Sequence, residues 1–295
     1  MTDRLCAEWT VPPRINGVLL KEFLRTGCKM SRKTLAEIKH SGGSLLVNGT
    51  ERTVRFPVYE GDLVTVFFAP EIPSPGIEAL DMPLNIVYED EHVLLLNKPP
   101  GLATVPSPDD PGRSLAGAVI GYFRKESIPS TFHAVSRLDR DTSGLLAAAK
   151  HRYAHHRLSE SGTVRSYLAI VQGNLKESTG TINSPIVRKE GSIIERTTAA
   201  QGKRAVTHYR CIEEKAGISL VSIRLETGRT HQIRVHFASI GHPLAGDTLY
   251  GTDSSLISRH ALHAYELAFT HPITEDTCQF TCAMPDDMRR AWEKA

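Results

Sequence analysis

A carboxylate held in a turn between two apolar segments is placed for chemistry, and Asp139 occupies such a turn. The stretch Ser136-Arg137-Leu138-Asp139-Arg140-Asp141-Thr142-Ser143-Gly144 follows Ala134 and Val135 and precedes the apolar run Leu145 to Ala149. Extended backbone would turn Arg137 and Asp139 to one side and Leu138 to the other. Thr142, Ser143 and Gly144 are turn formers that close a tight loop before a buried segment re-enters the core. Arg137, beside the carboxylate, suits an anion. A salt-bridged surface turn is the competing reading of any isolated Arg-x-Asp, because exposed ion pairs are common and individually weak.

A second group lies in Gly228-Arg229-Thr230-His231-Gln232-Ile233-Arg234-Val235-His236. Thr230 is expected to cap a helix whose Ile233, Phe237 and Ile240 make one apolar stripe, with Gly241 as its stop. His231 and Arg234 are i, i+3 neighbours on another face of that helix. Tyr167 falls in a predicted strand, Ser166 to Gly173, where a tyrosine ordinarily packs with its hydroxyl bonded. Metal binding is the rival reading for Cys278-x3-Cys282 and the nearby His260, His263 and His271. Alternation on a strand would put both cysteines on one face. Structural zinc, however, usually takes a pair two residues apart in a turn, so no metal is expected. The chain carries no P-loop, dinucleotide fingerprint or zincin motif.

The elements that must position these residues follow from patterning. The 295 residues suffice for one large domain and one small one. A 40% hydrophobic content supports a proper core. With a net charge of only +2, any basicity that binds a polyanion must be local. Five scattered cysteines fit a reducing compartment better than a disulfide framework. The N-terminus lacks the apolar core of a signal peptide and no run is long enough for a membrane helix, so the expectation is a soluble cytoplasmic protein.

Residues 1 to about 15 read as an irregular lead-in or edge strand, and Val18 to Arg25 as a helix. Ser31 caps a second helix with Leu35 and Ile38 inward, stopped by Gly42-Gly43. Ser44 to Val47 and Thr53 to Phe56 are expected to pair around an Asn48-Gly49 turn. Between Val18 and Phe56 stand eight basic residues (Lys21, Arg25, Lys29, Arg32, Lys33, Lys39, Arg52, Arg55) against three acidic ones. That surplus suits phosphate contact. Residues 71–83, with Pro73, Pro75 and Pro83, read as a linker. From Leu84 onward a hairpin of Ile86 to Tyr88 and Val93 to Leu96 leads into a strand-rich region. It has helices at Leu115 to Lys125 and Tyr153 to Leu158, and later strands at Ala205 to Tyr209, Leu220 to Leu225 and Gln279 to Ala283.

Arg137-Leu138-Asp139-x-x-Thr142-Ser143-Gly144-Leu145 resembles the signature of the RluA-type pseudouridine synthases, which isomerise uridine in ribosomal and transfer RNA. The block from Gly228 to His236, continued by Gly241-His242-Pro243-Leu244-x-Gly246-Asp247-x-x-Tyr250-Gly251, resembles that family's other strong signature. Asn97-Lys98-Pro99-Pro100-Gly101 resembles its first motif, although the His-Pro that often follows reads Thr104-Val105-Pro106 here. Ser31 to Gly49 resembles the small RNA-binding module of ribosomal protein S-four, as in RluD-like members. That module usually opens on Arg-Leu-Asp, where this chain has Leu19-Leu20-Lys21.

The resemblance implies an α+β fold: a mixed, mainly antiparallel catalytic sheet at 84–295, joined to a small α/β RNA-binding domain at 1–70. It implies catalytic roles for Asp139, for Tyr167 (where the preceding family Lys is Arg165) and for Arg234, which in the family pairs with the aspartate. It implies RNA contacts by Arg137, Lys98, Arg229, His231, Lys29, Arg32, Lys33 and Lys39, and a monomer acting on RNA. The reaction breaks the N-glycosidic bond, turns the uracil and joins its C5 to C1′ without redox change, so no cofactor or metal is called for. Asp139 would attack C1′ or abstract the 2′ proton, and both routes stay open. Unstacking the uridine costs a few kcal/mol, and Arg137 is placed to fill the vacated space. Transfer RNA as substrate, a non-catalytic RNA-binding factor and an N-glycosidic hydrolase are the alternatives.

Overall fold

A computed structural model describes residues 4–106, 112–215, 217–251 and 256–295; residues 1–3 of the expected N-terminal unit lie outside it. The N-terminal part comprises β1 (Cys6–Thr10), β2 (Asn16–Leu19), the single turn α1 (Leu20–Glu22) running into a π-turn at Phe23–Gly27, α2 (Arg32–His40), β3 (Ser44–Val47), β4 (Thr50–Glu51), β5 (Pro57–Tyr59) and β6 (Leu63–Phe67). One four-stranded sheet has the order β1-β6-β3-β4, and β2 pairs with β5 separately. Ser31 caps α2 as expected, its Oγ accepting from Thr34 N at 3.0 Å, and Leu35 and Ile38 face inward.

Two expectations need correction here. Val18 and Leu19 belong to β2, held by pairing with β5, so helical backbone starts only at Leu20. Leu20, Phe23 and Leu24, at helical spacing, are the residues buried. Asn48 and Gly49 do form the turn, at φ 51° and 77°, the left-handed pair a two-residue hairpin requires. So tight a turn brings Thr50 against Val47, making β4 the partner of β3 in place of Thr53 to Phe56.

The rest of the chain runs β7 (Ile86–Glu89), β8 (Val93–Lys98), α3 (Leu115–Lys125), β9 (His133–Ala134), β10 (Ser143–Ala149), α4 (Arg152–Ser161), β11 (Thr163–Gln172), β12 (Thr179–Asn183), β13 (Ile186–Arg188), β14 (Arg196–Thr198), β15 (Val206–Lys215), β16 (Ile218–Leu225), α5 (Gln232–Ser239), β17 (Leu262–Thr270), β18 (Thr277–Thr281) and α6 (Asp286–Lys294). Eight strands in the order β12-β15-β16-β11-β17-β10-β8-β7, with β18 and β9 attached, form a ten-stranded sheet. Its pairs are antiparallel except β10 with β17. The fold is thus α+β, mixed and mainly antiparallel.

Apolar runs in β8 and β10 are continuous because both faces of the sheet are covered. Leu94, Leu96 and Leu146 join Tyr167, Val221, α3 and the Ile233 and Phe237 stripe of α5 on one face. Val93, Leu95, Leu145 and Ala147 pack against Ala154 and Leu158 of α4 on the other. Ser143 and Gly144 are not loop residues but the first of β10. Gly144 has φ +113°, and a Cβ there would lie 2.2 Å from the Ala264 carbonyl, so only glycine fits this parallel register.

The N-terminal part packs against α4. Tyr153 shares its core, donates to Cys28 O at 2.6 Å, and lies near Phe68, whose ring stacks on His151 at 3.9 Å. Residues 71–83 are anchored by Glu71, which meets His133 at 2.6 Å, and by Leu80 N, which donates to Gly117 O. No helix among the described residues is long and apolar enough to cross a membrane.

Candidate active site

The loop carrying Asp139 is pinned from behind by buried side chains. Leu138, 7% exposed, enters the core, while Arg137 is exposed and Asp139 half-buried. Thr104 Oγ1 donates to Leu138 O at 2.8 Å and accepts from Leu138 N at 3.2 Å. Lys98 Nζ donates to the carbonyls of Pro99, Leu102 and Arg140 at 2.8–2.9 Å. Arg259 Nη1 reaches Asp141 O, and its fork closes on Asp287. Thr142 Oγ1 meets His260 Nε2 at 2.8 Å.

Lys98 therefore corrects a sequence expectation. It is fully buried at the end of β8 and unavailable to a phosphate; its three donors splice the first motif to the Asp139 loop. Burial pushes its pKa down to about 7, while three carbonyl acceptors match the three protons of the ammonium. The sequence assigned nothing to Thr104, which serves the same loop.

The segment before α5 also departs from expectation. Thr230 does not cap the helix. His231 stands at the cap position in left-handed backbone, φ 56°, and Gln232 Oε1 accepts from Arg229 N and Thr227 Oγ1 outside the helix. His231 is thus off the helical face and turns toward the carboxylate, with Nε2 4.0 Å from Asp139 Oδ2. Arg234, from the first turn of α5, places Nη1 3.6 Å from the same oxygen. Ile240 is 40% exposed and leaves the apolar stripe, but Gly241 ends the helix at φ +83°.

The partner of Arg234 is the residue the sequence left without a role. Its Nε and Nη2 close a fork on Asp247 at 2.7 and 2.8 Å, and only Nη1 faces Asp139. Burial opposes both charges of this pair. Their bonds outweigh it, so Asp247 lies below the ordinary carboxylate range and Arg234 above its usual value. Tyr250, equally unassigned, lies under the guanidinium at 5.0 Å and its Oη meets His231 Nδ1 at 2.8 Å. Burial lowers the His231 pKa, with Asp139 opposing and Arg234 adding to the lowering, which favours the neutral ring. His260 is pushed down to about 3 by burial and by Arg234. The Gly246-Asp247-x-x-Tyr250 motif is the available signal for Asp247 and Tyr250, but spacing alone does not say which charge a buried carboxylate meets.

Tyr167 is 4% exposed on β11, its hydroxyl pKa raised by burial and by Asp139 against the pull of Arg165. Arg229 is exposed at the rim, with Nε donating to Arg204 O. Lys29, Arg32, Lys33 and Lys39 lie on the N-terminal part, away from this cluster in sequence and element. Lys29 pairs with Glu275 at 3.7 Å, while the other three are exposed. Cys282 Sγ lies 3.2 Å from His263 Nε2, and burial raises its pKa to about 11. Among the described residues no three His, Cys, Asp or Glu side chains converge as metal ligands.

A ten-stranded mixed sheet with a half-exposed aspartate backed by an arginine defines a class, and solved structures of the same architecture exist. Human RNA pseudouridylate synthase domain containing 1 superposes with a TM-score of 0.56 at 26% identity, covering 70% of this chain and 85% of that one. Human RNA pseudouridylate synthase domain containing 4 has a TM-score of 0.58 at 20% identity, covering 71% and 92%, a likeness of fold alone. The family described as RNA pseudouridylate synthase matches residues 92–239. YjbO of Bacillus subtilis, called an uncharacterized RNA pseudouridine synthase, is 44% identical over 88% of this chain and 94% of its own length. Ribosomal large subunit pseudouridine synthase D of Xylella fastidiosa is 37% identical over 100% of this chain and 98% of its own. The chain belongs to the RNA pseudouridine synthase family, and is an isomerase.

Proposed function

We propose that the chain converts uridines of ribosomal RNA to pseudouridine, with Asp139 as the reacting carboxylate, Arg234 as the group that aims it and Tyr167 beside the base. The observation that carries this is the gradient of exposure at the site. Asp139 keeps 30% of its side chain open to a substrate, while Arg234 and His231, which approach its Oδ2, keep 9% and 13%. A carboxylate open in front and braced behind can reach C1′ or the 2′ proton. On the first route the bond from C1′ to N1 breaks as the carboxylate adds. After the uracil turns, C5 displaces the carboxylate, the C5 proton is lost and N1 ends protonated. His231 Nε2 and Arg234 Nη1 both face Asp139 Oδ2, at 4.0 and 3.6 Å, and brace the carboxylate from behind.

Ribosomal RNA is favoured as substrate by several relatives named for the large ribosomal subunit, matched over nearly their whole length. On this reading residues 1–70 supply RNA affinity through Arg32, Lys33 and Lys39, residues 71–83 join them to the catalytic unit at 84–295, and Arg137 and Arg229 contact the RNA at the rim. A monomer working in the cytoplasm, where ribosomal RNA is made and assembled, belongs to the same reading. The test is to map pseudouridines in cells lacking the protein. One or more sites in large-subunit RNA should revert to uridine and return with the wild type but not with Asp139→Asn. Loss confined to transfer RNA would refute the ribosomal assignment.

A further inference from the structure

We propose that Asp247 is a positioning residue for the isomerisation, acting through Arg234; this deepens the reading above and rests on Asp139 being the reacting carboxylate. Arg234 offers three nitrogens, and Asp247 takes two of them in a charge-assisted fork at 2.7 and 2.8 Å. The plane of the guanidinium is therefore set by Asp247, and Asp139 receives only Nη1, at 3.6 Å. The Asp247 side chain is fully buried. Its backbone is fixed by Gly246, at φ +72°, where a Cβ would lie 2.2 Å from the Arg259 carbonyl. Asp247 Oδ1 also accepts from Leu249 N and Tyr250 N at 3.1 and 3.2 Å. Those bonds hold the turn that carries Tyr250 under Arg234 and against His231. One carboxylate thus places both groups that flank Asp139.

The asymmetry has a chemical consequence. A carboxylate that must bond to the ribose, or take a proton from it, cannot also be closed into a bidentate fork. By occupying Nε and Nη2, Asp247 denies that fork to Asp139 and leaves it a single longer contact. The reactive oxygen is aimed and still free to move.

The test is single-turnover pseudouridine formation at saturating RNA, with RNA affinity and thermal unfolding measured on the same proteins. Asp247→Asn keeps the shape and one turn-capping oxygen but sets an amide N–H against Arg234. It should lower the rate constant about 100-fold with RNA affinity unchanged. Arg234→Ala leaves Asp247 buried and unpaired and should lose both rate and stability. The double variant, Asp247→Asn with Arg234→Ala, should recover stability but show the rate of Arg234→Ala alone, because the asparagine oxygen still caps the Tyr250 turn and the fork it would disturb is already gone. This comparison also serves if Asp247→Asn by itself folds poorly. A wild-type rate constant in Asp247→Asn, losses that multiply in the double variant, or a loss confined to RNA affinity would each overturn the proposal. Asp139→Asn in the same assay isolates the underlying reading, since activity there would sink the role of Asp139 whatever Asp247 does.

Discussion

The charged residues behind the Asp139 loop and those of helix α2 belong to the same chemical types and sit in opposite environments. Lys98, Arg234 and Arg259 are buried, and each is bonded to fixed acceptors. Arg32, Lys33 and Lys39 are exposed and carry no ion pair among the described residues. A buried charge left unpaired is costly, so the first group is bound to its geometry and positions the carboxylate. An exposed cation costs little and is screened, so the second group can trade solvent for phosphate without disturbing the fold. On the proposed reading, burial more than residue type separates positioning from affinity. The seam between the two regions has its ion pairs, Lys29 with Glu275 and Arg152 with Glu37, outside a buried centre. That centre is made of aromatic rings and neutral histidines around His151, whose Nδ1 accepts from Ala154 N at the start of α4 while Nε2 meets His92 Nδ1 at 3.1 Å.

That seam is where the contrast can be broken most strongly. Burial holds His92 at about 4 and His151 well below its ordinary value, with Lys150 and His271 also opposing charge on His92 and Asp90 favouring it. Both stay neutral in the folded protein, whereas the unfolded chain takes up protons near 6.5. Stability is thus fully present above about pH 6.5 and is lost as pH falls toward 4, at up to about 1.4 kcal/mol per pH unit for each histidine. Urea unfolding between pH 7.5 and 4.5 should show this decline, and His92→Gln should flatten it. A midpoint independent of pH over that range would show that these rings do not carry the seam.

The smaller effect sharpens the other side. Replacing Arg32, Lys33 and Lys39 together by glutamate should weaken RNA binding and cut the salt slope of its affinity by about 2, as three lost phosphate contacts would. The single-turnover rate at saturating RNA should hardly change. An unaltered salt slope would remove α2 from the RNA interface.

How much of this was legible beforehand depends on the kind of information needed. The runs of β8 and β10 and the ends of α3 are local patterns, and Leu115–Lys125 agrees with its predicted bounds. Asp139, Tyr167 and Arg234 stood out through motifs. The same motifs could not show that Lys98 faces inward, because a lysine after an apolar strand is ordinarily solvated. Nor could they show that the fork of Arg234 belongs to Asp247, thirteen residues on, since that choice is made by how α5 and the turn after it pack. His231 departs from its expected face for a local reason. Thr230 has the type of a cap, but the left-handed residue after it delays the helix start to Gln232 and turns the ring toward Asp139.

The central claim, that Asp139 is the reacting group in a site assembled around it, is tested most directly by single-turnover pseudouridine formation in Asp139→Asn at saturating RNA. Asparagine keeps the shape and removes the charge. Asp139→Asn should unfold as the wild type does, bind RNA with wild-type affinity and form no pseudouridine. Pseudouridine formed at a rate near that of the wild type would contradict it.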